Sequence, residues 1–341
     1  MRSCCASRVA QPADLVAVGD AAVVDGLVDR ARAGDARSVA KLISLVEDAS
    51  PLLREAMTAL MPYGGRATVI GLTGAPGVGK STTTSGLVSA FRALDKRVGV
   101  LAVDPSSPFS GGALLGDRIR MQDHALDPDV YIRSMATRGH LGGLSWSTPQ
   151  AMRVLDAAGC DVVLVETVGV GQSEVEVAGL ADTTVVLLAP GMGDAVQAAK
   201  AGILEVGDVY VVNKADREGA DYAVRELRHM LTLGERRGPG DWRPPILTTV
   251  ASRGDGLDKV VAALDKHRGW LEETGQLHVR RVRRAAGEVE AIAVTTLRAR
   301  MGDLNSTNGP SGLEELAAEV VAGRTDPYSA ADRLVAGLTT G

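Results

Sequence analysis

Residues 74–81 have the types and spacing of a phosphate-binding loop. They read GAPGVGKS, match the pattern G-x-x-x-x-G-K-[ST], and lie between the apolar run VIGLT and the helical run TTTSGLVSAFRAL. Glycines at these positions let backbone N–H groups converge on phosphate oxygens, while Lys80 reaches the β and γ phosphates and the Ser81 hydroxyl binds Mg²⁺. We therefore predict a nucleoside triphosphate site in which Lys80 is catalytic. Its predicted nucleotide-binding residues are Gly74, Ala75, Pro76, Gly77, Val78, Gly79, Lys80, Ser81 and Thr82.

A second motif, NKAD at residues 213–216, follows the apolar run VYVV and has the chemistry of a guanine site. The Asp216 carboxylate can accept hydrogen bonds from guanine N1–H and from the exocyclic amine, a donor pair that adenine lacks. Asn213 can address the O6/N7 edge, and the Lys214 stem can pack along the base. A four-residue motif can occur by chance, and NKAD could simply be the solvated start of a helix. Its position after a phosphate-binding loop is what favours a guanine site. A loop after a later apolar run is predicted to close over the other side of the base; its residues are Ser252, Arg253 and Gly254.

Acidic residues after two apolar runs could complete a magnesium site. Asp104 follows VGVLAV and Glu166 follows DVVLV, and the carboxyl ends of parallel strands meet at the edge where ligands bind. We predict that Mg²⁺ is bound by Ser81, Asp104 and Glu166, with Asp117 as a further metal-site residue. Asp104 could instead cap a turn, and Asp117, which lies beside arginines, could be a solvated carboxylate. Gly169 is predicted to bring its backbone N–H to the γ phosphate and to take part in nucleotide binding.

Alternating apolar and helical runs supply the scaffold for these motifs. After the break at residues 62–65, short β-branched runs alternate with longer helical segments, which predicts an α/β fold: a P-loop NTPase with a mostly parallel central sheet. Helical patterns run from Gly26 to about Leu60, with a helix start at Pro51, and resume after about Lys266 as a long helix followed by two short ones. The predicted strands are Thr68–Leu72, Val98–Val103, Val130–Arg133, Asp161–Glu166, Thr184–Ala189, Val209–Asn213 and Ile246–Val250. The predicted domains are an N-terminal leader and helical extension (1–65), a P-loop GTPase domain (66–265) and a C-terminal helical arm (266–341).

Composition restricts the class of protein. The 341 residues are 45% hydrophobic and carry a formal net charge of -5, which gives no general attraction to nucleic acid or to anionic membranes. The three cysteines are the adjacent Cys4 and Cys5 and the distant Cys160, a spacing that fits neither a disulfide framework nor a metal site. The first residues lack the apolar stretch of a signal peptide, and no run is long enough to span a bilayer. We therefore expect a cytoplasmic protein.

Longer strings resemble the methylmalonyl-CoA mutase-associated GTPases of the MeaB/ArgK type, a family of P-loop GTPases with a glutamate in the second magnesium loop. These strings are GAPGVGKST, VDPSSPFSGGALLGDRIRM, RSMATRGHLGGLS, DVVLVETVGVGQSEVEV, APGMGDAVQAAKAGI and VVNKAD. The resemblance implies GTP or GDP as ligand, Mg²⁺, a homodimer formed through the C-terminal helical arm, and an adenosylcobalamin-dependent methylmalonyl-CoA mutase as partner. In that family the GTPase gates cofactor loading and protects the mutase. The family's phosphate, magnesium and guanine positions fall on Lys80, Ser81, Asp104, Asp117, Glu166, Asn213, Lys214 and Asp216.

The residues that assist Lys80 in GTP hydrolysis cannot be assigned from motifs alone. Gln172 could order the attacking water or could be a polar loop residue. Lys200 lies in a segment that resembles the family's partner-responsive switch, so we predict that it is a second catalytic residue; the alternative is a solvated helix lysine. Arg133 and two further residues flank a Gly-rich run that could be another nucleotide-sensing switch or a simple connector; these two are Arg138 and His140.

Two other functions are also open. A metabolic or transport-linked kinase could use the same phosphate-binding loop, although the sequence shows no motif for a second substrate pocket. A regulatory GTPase with another partner, such as an RNA-linked one, could use the arginine run at 280–284. That run would otherwise be a solvated face or a dimer contact.

Overall fold

Strands that pair in parallel form one seven-stranded sheet in the part of the chain that the computed structural model describes. The described residues are 12–104, 121–124, 126–136, 147–167, 173–191, 202–233, 238, 240–306 and 313–339. The strands are β1 (Thr68–Thr73), β2 (Val98–Asp104), β3 (Val130–Ala136), β4 (Val162–Thr167), β5 (Thr183–Leu188), β6 (Val209–Val212) and β7 (Ile246–Thr248). Their order across the sheet is β3-β2-β4-β1-β5-β6-β7. This confirms the predicted α/β class with a parallel central sheet.

The seven predicted strands are all present, with bounds that differ by three residues at most. The reason is visible in their burial, because β4, β5 and β6 are buried along their whole length. Strands covered on both faces read as continuous apolar runs, which are easy to recognise in a sequence. The largest difference is at β3, which continues to Ala136 rather than ending at Arg133.

The N-terminal part contains α1 (Pro12–Arg32), α2 (Ala36–Glu47) and α3 (Leu53–Leu60). The helical run therefore begins earlier than the predicted Gly26, and the predicted helix start at Pro51 was wrong by two residues. The chain turns between α1 and α2 at Gly34, whose φ of +94° favours glycine. Asp35 then caps α2, because its carboxylate accepts hydrogen bonds from two backbone N–H groups of the first turn.

Helices cover both faces of the sheet. One face packs against α2, α3, α5 (Thr148–Ala157) and α6 (Ser173–Leu180), and the other against α4 (Lys80–Arg92) and α8 (Leu257–Glu273). The helix α7 (Ala220–Leu233) contributes Leu227 to a smaller core with Tyr210 of β6. A close approach occurs at Gly71 in β1, where a Cβ atom would lie 2.7 Å from the Val177 side chain. The absence of a side chain at Gly71 therefore lets α6 lie directly on β1.

The chain divides into two compact units, residues 1–281 and 282–341. The long helix α9 (Gln276–Ser306) begins in the first unit, and α10 (Leu313–Val321) and α11 (Pro327–Thr339) belong to the second. The predicted long helix and final pair of short helices are thus present. The last two pack through a small core formed by Leu316, Val320, Ala330 and Leu334. Among the described helices, we find none with the length and apolar character that crossing a membrane requires.

Candidate functional site

The phosphate-binding loop joins the end of β1 to the start of α4 at Lys80. Several of its glycines have positive φ, which residues with a side chain rarely adopt. At Gly79, with φ of +98°, a Cβ atom would also collide with the side-chain amide of Asn213. At Gly74, it would collide with the backbone carbonyl of Leu187 in β5. The loop is thus packed against the carboxyl ends of the neighbouring strands, where ligands bind in a parallel α/β sheet.

The Lys80 side chain is buried within this loop. Its Nζ donates hydrogen bonds to the carbonyl oxygens of Gly74, at 2.7 Å, and Ala75, at 3.1 Å. The ammonium is therefore held against the loop that is predicted to surround the phosphates. Thr82, by contrast, is exposed on α4.

Two predicted metal-site residues are brought together at the first turn of α4. The Ser81 hydroxyl donates a hydrogen bond to Oε1 of Glu166 at 2.7 Å, and both side chains are buried. The backbone of Asp104 ends β2, beside the end of β4, because Val103 pairs with Thr167. The Asp104 side chain lies outside the described part of the chain, as do two other predicted site residues, Asp117 and Gly169.

Thr84 is a residue of this site that the sequence analysis did not single out. Its hydroxyl donates a hydrogen bond to Oε2 of Glu166 at 2.9 Å, and Thr84 is fully buried. The signal that could have identified it is the run TTT after Ser81. A residue three positions after Ser81 lies on the same face of a helix, so it can reach the same carboxylate.

Asn213, which follows β6, connects the phosphate-binding loop to the loop after β7 in the predicted guanine site. Its Nδ2 donates to the carbonyl oxygen of Val78 in the phosphate-binding loop at 2.9 Å. Its Oδ1 accepts from the Thr249 hydroxyl at 3.1 Å and from the backbone N–H of Ala251 at 3.0 Å. Because Asn213 is buried and these contacts are with the protein, the side chain fixes the loops of the predicted guanine site. Contact between Asn213 and the O6/N7 edge of guanine stays a prediction.

The next residues of the motif are more exposed. Lys214 has a left-handed backbone (φ +57°), and its Nζ donates to the carbonyl oxygen of Gly77 at 2.6 Å, so its stem reaches across to the phosphate-binding loop. The Asp216 side chain is 42% exposed, and its Oδ2 lies 4.0 Å from Nη1 of Arg253. The loop of Arg253, with exposed Ser252 and Gly254, is therefore beside the carboxylate that is predicted to read guanine.

Arg133 takes no part in this site. Its guanidinium donates hydrogen bonds to Glu47 and to the Ser44 hydroxyl, and both partners lie on α2. It therefore ties the edge strand β3 to the N-terminal helices. Whether the Gly-rich run that follows Arg133 is a nucleotide-sensing switch or a connector stays a prediction, because that run lies outside the described residues. Arg138, His140, Gln172 and Lys200 lie outside the described residues.

A second polar cluster lies at the amino ends of β5 and β6, away from the nucleotide motifs. Arg280, at the start of α9, donates two hydrogen bonds to the Asp208 carboxylate, both at 2.8 Å. Arg281 contacts the buried Asp182 carboxylate at 3.0 Å and the carbonyl oxygens of Gly65 and Ala67. The interpretation of this arginine run as a solvated face or dimer contact was wrong for these two residues. They anchor α9 within the first unit.

His267 is buried in the same cluster. Its Nδ1 lies 2.8 Å from the Thr183 hydroxyl, and its ring packs against both Trp242 and Trp270, which also contact each other. Its Nε2 lies 3.4 Å from Oδ1 of Asp208. Burial lowers the pKa of His267 to about 4, because the desolvation of an imidazolium outweighs the attraction of Asp208, which Arg280 already neutralises. His267 is therefore neutral near pH 7.

Cys160 is a buried side chain without nucleophilic character. Burial raises the pKa of its thiol to about 12. The thiolate, which is the nucleophile and metal ligand, is therefore negligible at neutral pH.

Comparison with known proteins identifies relatives along most of the chain. A family model for the methylmalonyl-CoA mutase-associated GTPase MeaB matches residues 39–305. A putative GTPase of Pyrococcus abyssi is 45% identical over 314 residues, covering 92% of this chain and 96% of that protein. The GTPase ArgK of Escherichia coli is 38% identical over 260 residues, covering 73% of this chain and 77% of that protein. A solved structure described as a LAO/AO transport system kinase is 28% identical, with a TM-score of 0.69 and coverage of 93% of this chain and 98% of that one.

Proposed function

This chain belongs to the methylmalonyl-CoA mutase-associated GTPase family and is a P-loop GTPase, and we propose that it acts as a GTP-driven chaperone of an adenosylcobalamin-dependent methylmalonyl-CoA mutase. In this role it gates adenosylcobalamin loading into the mutase and protects the mutase from inactivation. The observation that carries the proposal is the family match over residues 39–305. That range includes the phosphate-binding loop, the NKAD motif and nearly all of α9.

In the proposed site, GTP lies across the carboxyl ends of the central strands. The phosphates lie in the loop that precedes α4, and the base lies between Lys214 and the loop of Arg253. The exposed Asp216 carboxylate then accepts hydrogen bonds from the guanine N1–H and amine, while Asn213 keeps the surrounding loops in register. This arrangement is supported by the three hydrogen bonds of Asn213, which link the phosphate-binding loop to the loop after β7.

The oxygen donors at the start of α4 fit Mg²⁺. A serine hydroxyl and a carboxylate are hard ligands of the kind that Mg²⁺ prefers, and here they are 2.7 Å apart and shielded from water. We assign the site to Ser81, Asp104, Asp117 and Glu166. When bound there, Mg²⁺ would neutralise the charge that develops on the β and γ phosphates.

Hydrolysis also needs a cation from the protein and an ordered water molecule. Lys80 supplies the cation, since its ammonium can exchange the carbonyl oxygens of Gly74 and Ala75 for phosphate oxygens. We assign the conditional step to Lys200: its ammonium stabilises the transition state when the mutase is bound. Hydrolysis by the isolated chain is then slow, and the nucleotide state determines the conformation that the mutase encounters.

The test is single-turnover hydrolysis of GTP labelled on the γ phosphate, with and without methylmalonyl-CoA mutase. Stabilisation of about 2–4 kcal/mol by Lys200 would accelerate the wild-type reaction roughly 30- to 1,000-fold when the mutase is added. Lys200→Ala is expected to lose most of this acceleration but to keep the slow basal rate. Lys259→Ala, at an exposed lysine of α8, is the matched control and is expected to behave like wild type. Equal wild-type rates with and without mutase would refute the chaperone-switch proposal.

A kinase is the second candidate, because a protein with a similar solved structure is named a transport system kinase. The same experiment separates the two functions. A kinase would transfer the labelled phosphoryl group to an acceptor molecule, whereas the proposed chaperone releases it as free phosphate. A kinase would also be insensitive to the mutase.

We further propose that the chain forms a homodimer in the cytoplasm through its C-terminal arm, for which we retain the range 266–341. Support comes from apolar side chains of α9 that are exposed on the single chain and would be covered in a dimer. These are Val282, Val289, Ile292, Val294 and Leu297. Sedimentation of wild type and Ile292→Glu tests this, since a charge in a buried interface should shift the dimer to monomer. A monomeric wild type at micromolar concentration would contradict the proposal.

A further inference from the structure

The Glu166 carboxylate is held by two hydroxyl groups on one face of α4. Ser81 donates to Oε1 at 2.7 Å, and Thr84, one turn later, donates to Oε2 at 2.9 Å. Glu166 is 3% exposed and Thr84 is 0% exposed. Each oxygen of the Glu166 carboxylate therefore accepts a hydrogen bond from a different hydroxyl group, in a region with little access to water.

This arrangement determines the rotation of the carboxylate. A buried carboxylate needs hydrogen-bond donors, and a bond to an ionised acceptor is stronger than one to a neutral carbonyl. The Thr84 hydroxyl also lies 3.0 Å from the carbonyl oxygen of Lys80, the usual partner of a threonine within a helix. Its single hydrogen favours the charged oxygen of Glu166. With Oε2 occupied in this way, Oε1 is the oxygen that faces Ser81.

The orientation of Ser81 follows from the same contact. When its hydrogen is donated to Oε1, the lone pairs of the Ser81 oxygen are directed away from Glu166. A hydroxyl oxygen can bind a cation only through such a lone pair. Side chains that do not bind a metal themselves but orient its ligands in this way commonly matter for affinity. Their removal weakens metal binding about 10- to 100-fold.

We propose that Thr84 is a positioning residue of the magnesium site: it fixes the Glu166 carboxylate so that Glu166 in turn orients the Ser81 oxygen toward the metal. Thr84 itself touches neither metal nor nucleotide. The proposal rests on the magnesium site assigned above, and it is independent of the mutase. It distinguishes Thr84 from Thr83, which is equally buried but donates only to the backbone carbonyl of Gly79, at 2.9 Å.

The test measures divalent-metal binding to the full-length protein with GDP bound. Free Mn²⁺ is followed by electron paramagnetic resonance, and Mg²⁺ competes for the site; GDP affinity in excess EDTA is measured separately. Thr84→Val removes the hydroxyl at nearly constant volume and is expected to weaken metal binding about tenfold or more. Thr84→Ser restores the hydroxyl and is expected to stay within about twofold of wild type, as is the control Thr83→Val. If valine is not accommodated, Thr84→Ala provides the same deletion.

The outcomes are distinguishable. Weaker metal binding in Thr84→Val, with rescue by Thr84→Ser and unchanged GDP affinity in EDTA, supports the positioning role. Wild-type metal binding by Thr84→Val overturns it. An equal loss of GDP affinity in EDTA also overturns it, because the residue would then support the loop rather than the metal. If metal binding by wild type itself is independent of GDP, the magnesium site fails together with this proposal.

Discussion

The buried imidazole of His267 should make the folded protein sensitive to mildly acidic pH. Desolvation lowers the pKa of this group from its ordinary value of 6.5 to about 4 in the folded state. Above about pH 6.5 the imidazole is neutral in both the folded and the unfolded chain, so it has no effect on the pH dependence of stability. Between the two pKa values the unfolded chain binds a proton that the folded chain does not. The free energy of unfolding therefore falls as the pH falls through this window.

The magnitude follows from the two pKa values. At about pH 5, the unfolded imidazole is almost fully protonated and the folded one about one-tenth protonated, which corresponds to a loss of about 2 kcal/mol. Near pH 4 the loss approaches about 3 kcal/mol. This is a large fraction of the roughly 5–15 kcal/mol that is typical of a folded domain.

Urea unfolding at about pH 7.5 and about pH 5 measures this loss, with fluorescence of Trp242 and Trp270 as a local signal because their rings pack on His267. Carboxyl groups also titrate in this range, so the informative quantity is the difference between wild type and His267→Gln. Wild type should lose about 2 kcal/mol more than this variant. His229→Gln, at an exposed histidine of α7, should follow wild type. Parallel losses in wild type and His267→Gln would show that the buried histidine does not carry the effect.

Three substitutions examine other parts of the structure. Asn213→Ala leaves three buried polar partners unpaired in two loops and should lower either the free energy of unfolding or the GTP-binding free energy by about 2–4 kcal/mol; unchanged urea unfolding and calorimetry would contradict its linking role. Asp216→Asn should weaken GTP binding by about 1.5–3 kcal/mol and reduce its preference over ATP, and calorimetry that shows unchanged discrimination would remove the guanine assignment. Arg280→Met leaves the Asp208 carboxylate without its bidentate partner and should lower the free energy of unfolding by about 2–4 kcal/mol. Arg283→Met, at an exposed position, is the control and should change it little. Equal effects of the two substitutions on urea unfolding would argue against the role of Arg280 in anchoring α9.

The sheet and the nucleotide motifs could be predicted because their signals are local. A strand buried on both faces appears as a continuous apolar run, and the loop before Lys80 is defined by eight consecutive residues. The start of α1 at Pro12 was missed because its sequence before Gly26 shows no clear apolar stripe. The start of α3 was misplaced because Pro51 fits a helix start equally well in sequence, and the structure uses it in a turn.

The remaining contacts depend on residues that are far apart in the chain. The partner of Asn213 in the phosphate-binding loop is 135 residues away, and the partners of Arg280 and Arg281 are 72 and 99 residues away. Nothing in a local pattern tells which arginine of a run will meet a buried aspartate. The types of residue in such contacts can be read from the sequence, but their pairing requires the fold.

The close approach of α6 to β1 at Gly71 offers a way to change the rate of GTP hydrolysis from a position outside the nucleotide motifs. The helix begins at Ser173, and only residues 168–172 separate it from the end of β4, which also carries Glu166. A methyl group at Gly71 would collide with Val177 and Ala181, which both follow the start of α6 at Ser173. It would therefore press on the helix to which β4 is joined by only five residues. We therefore expect Gly71→Ala to change the rate of GTP hydrolysis, although residue 71 lies in β1 and not in the nucleotide motifs. Val177→Ala in the same chain would remove the shorter of these two contacts, so we expect it to restore part of the change in rate that Gly71→Ala causes.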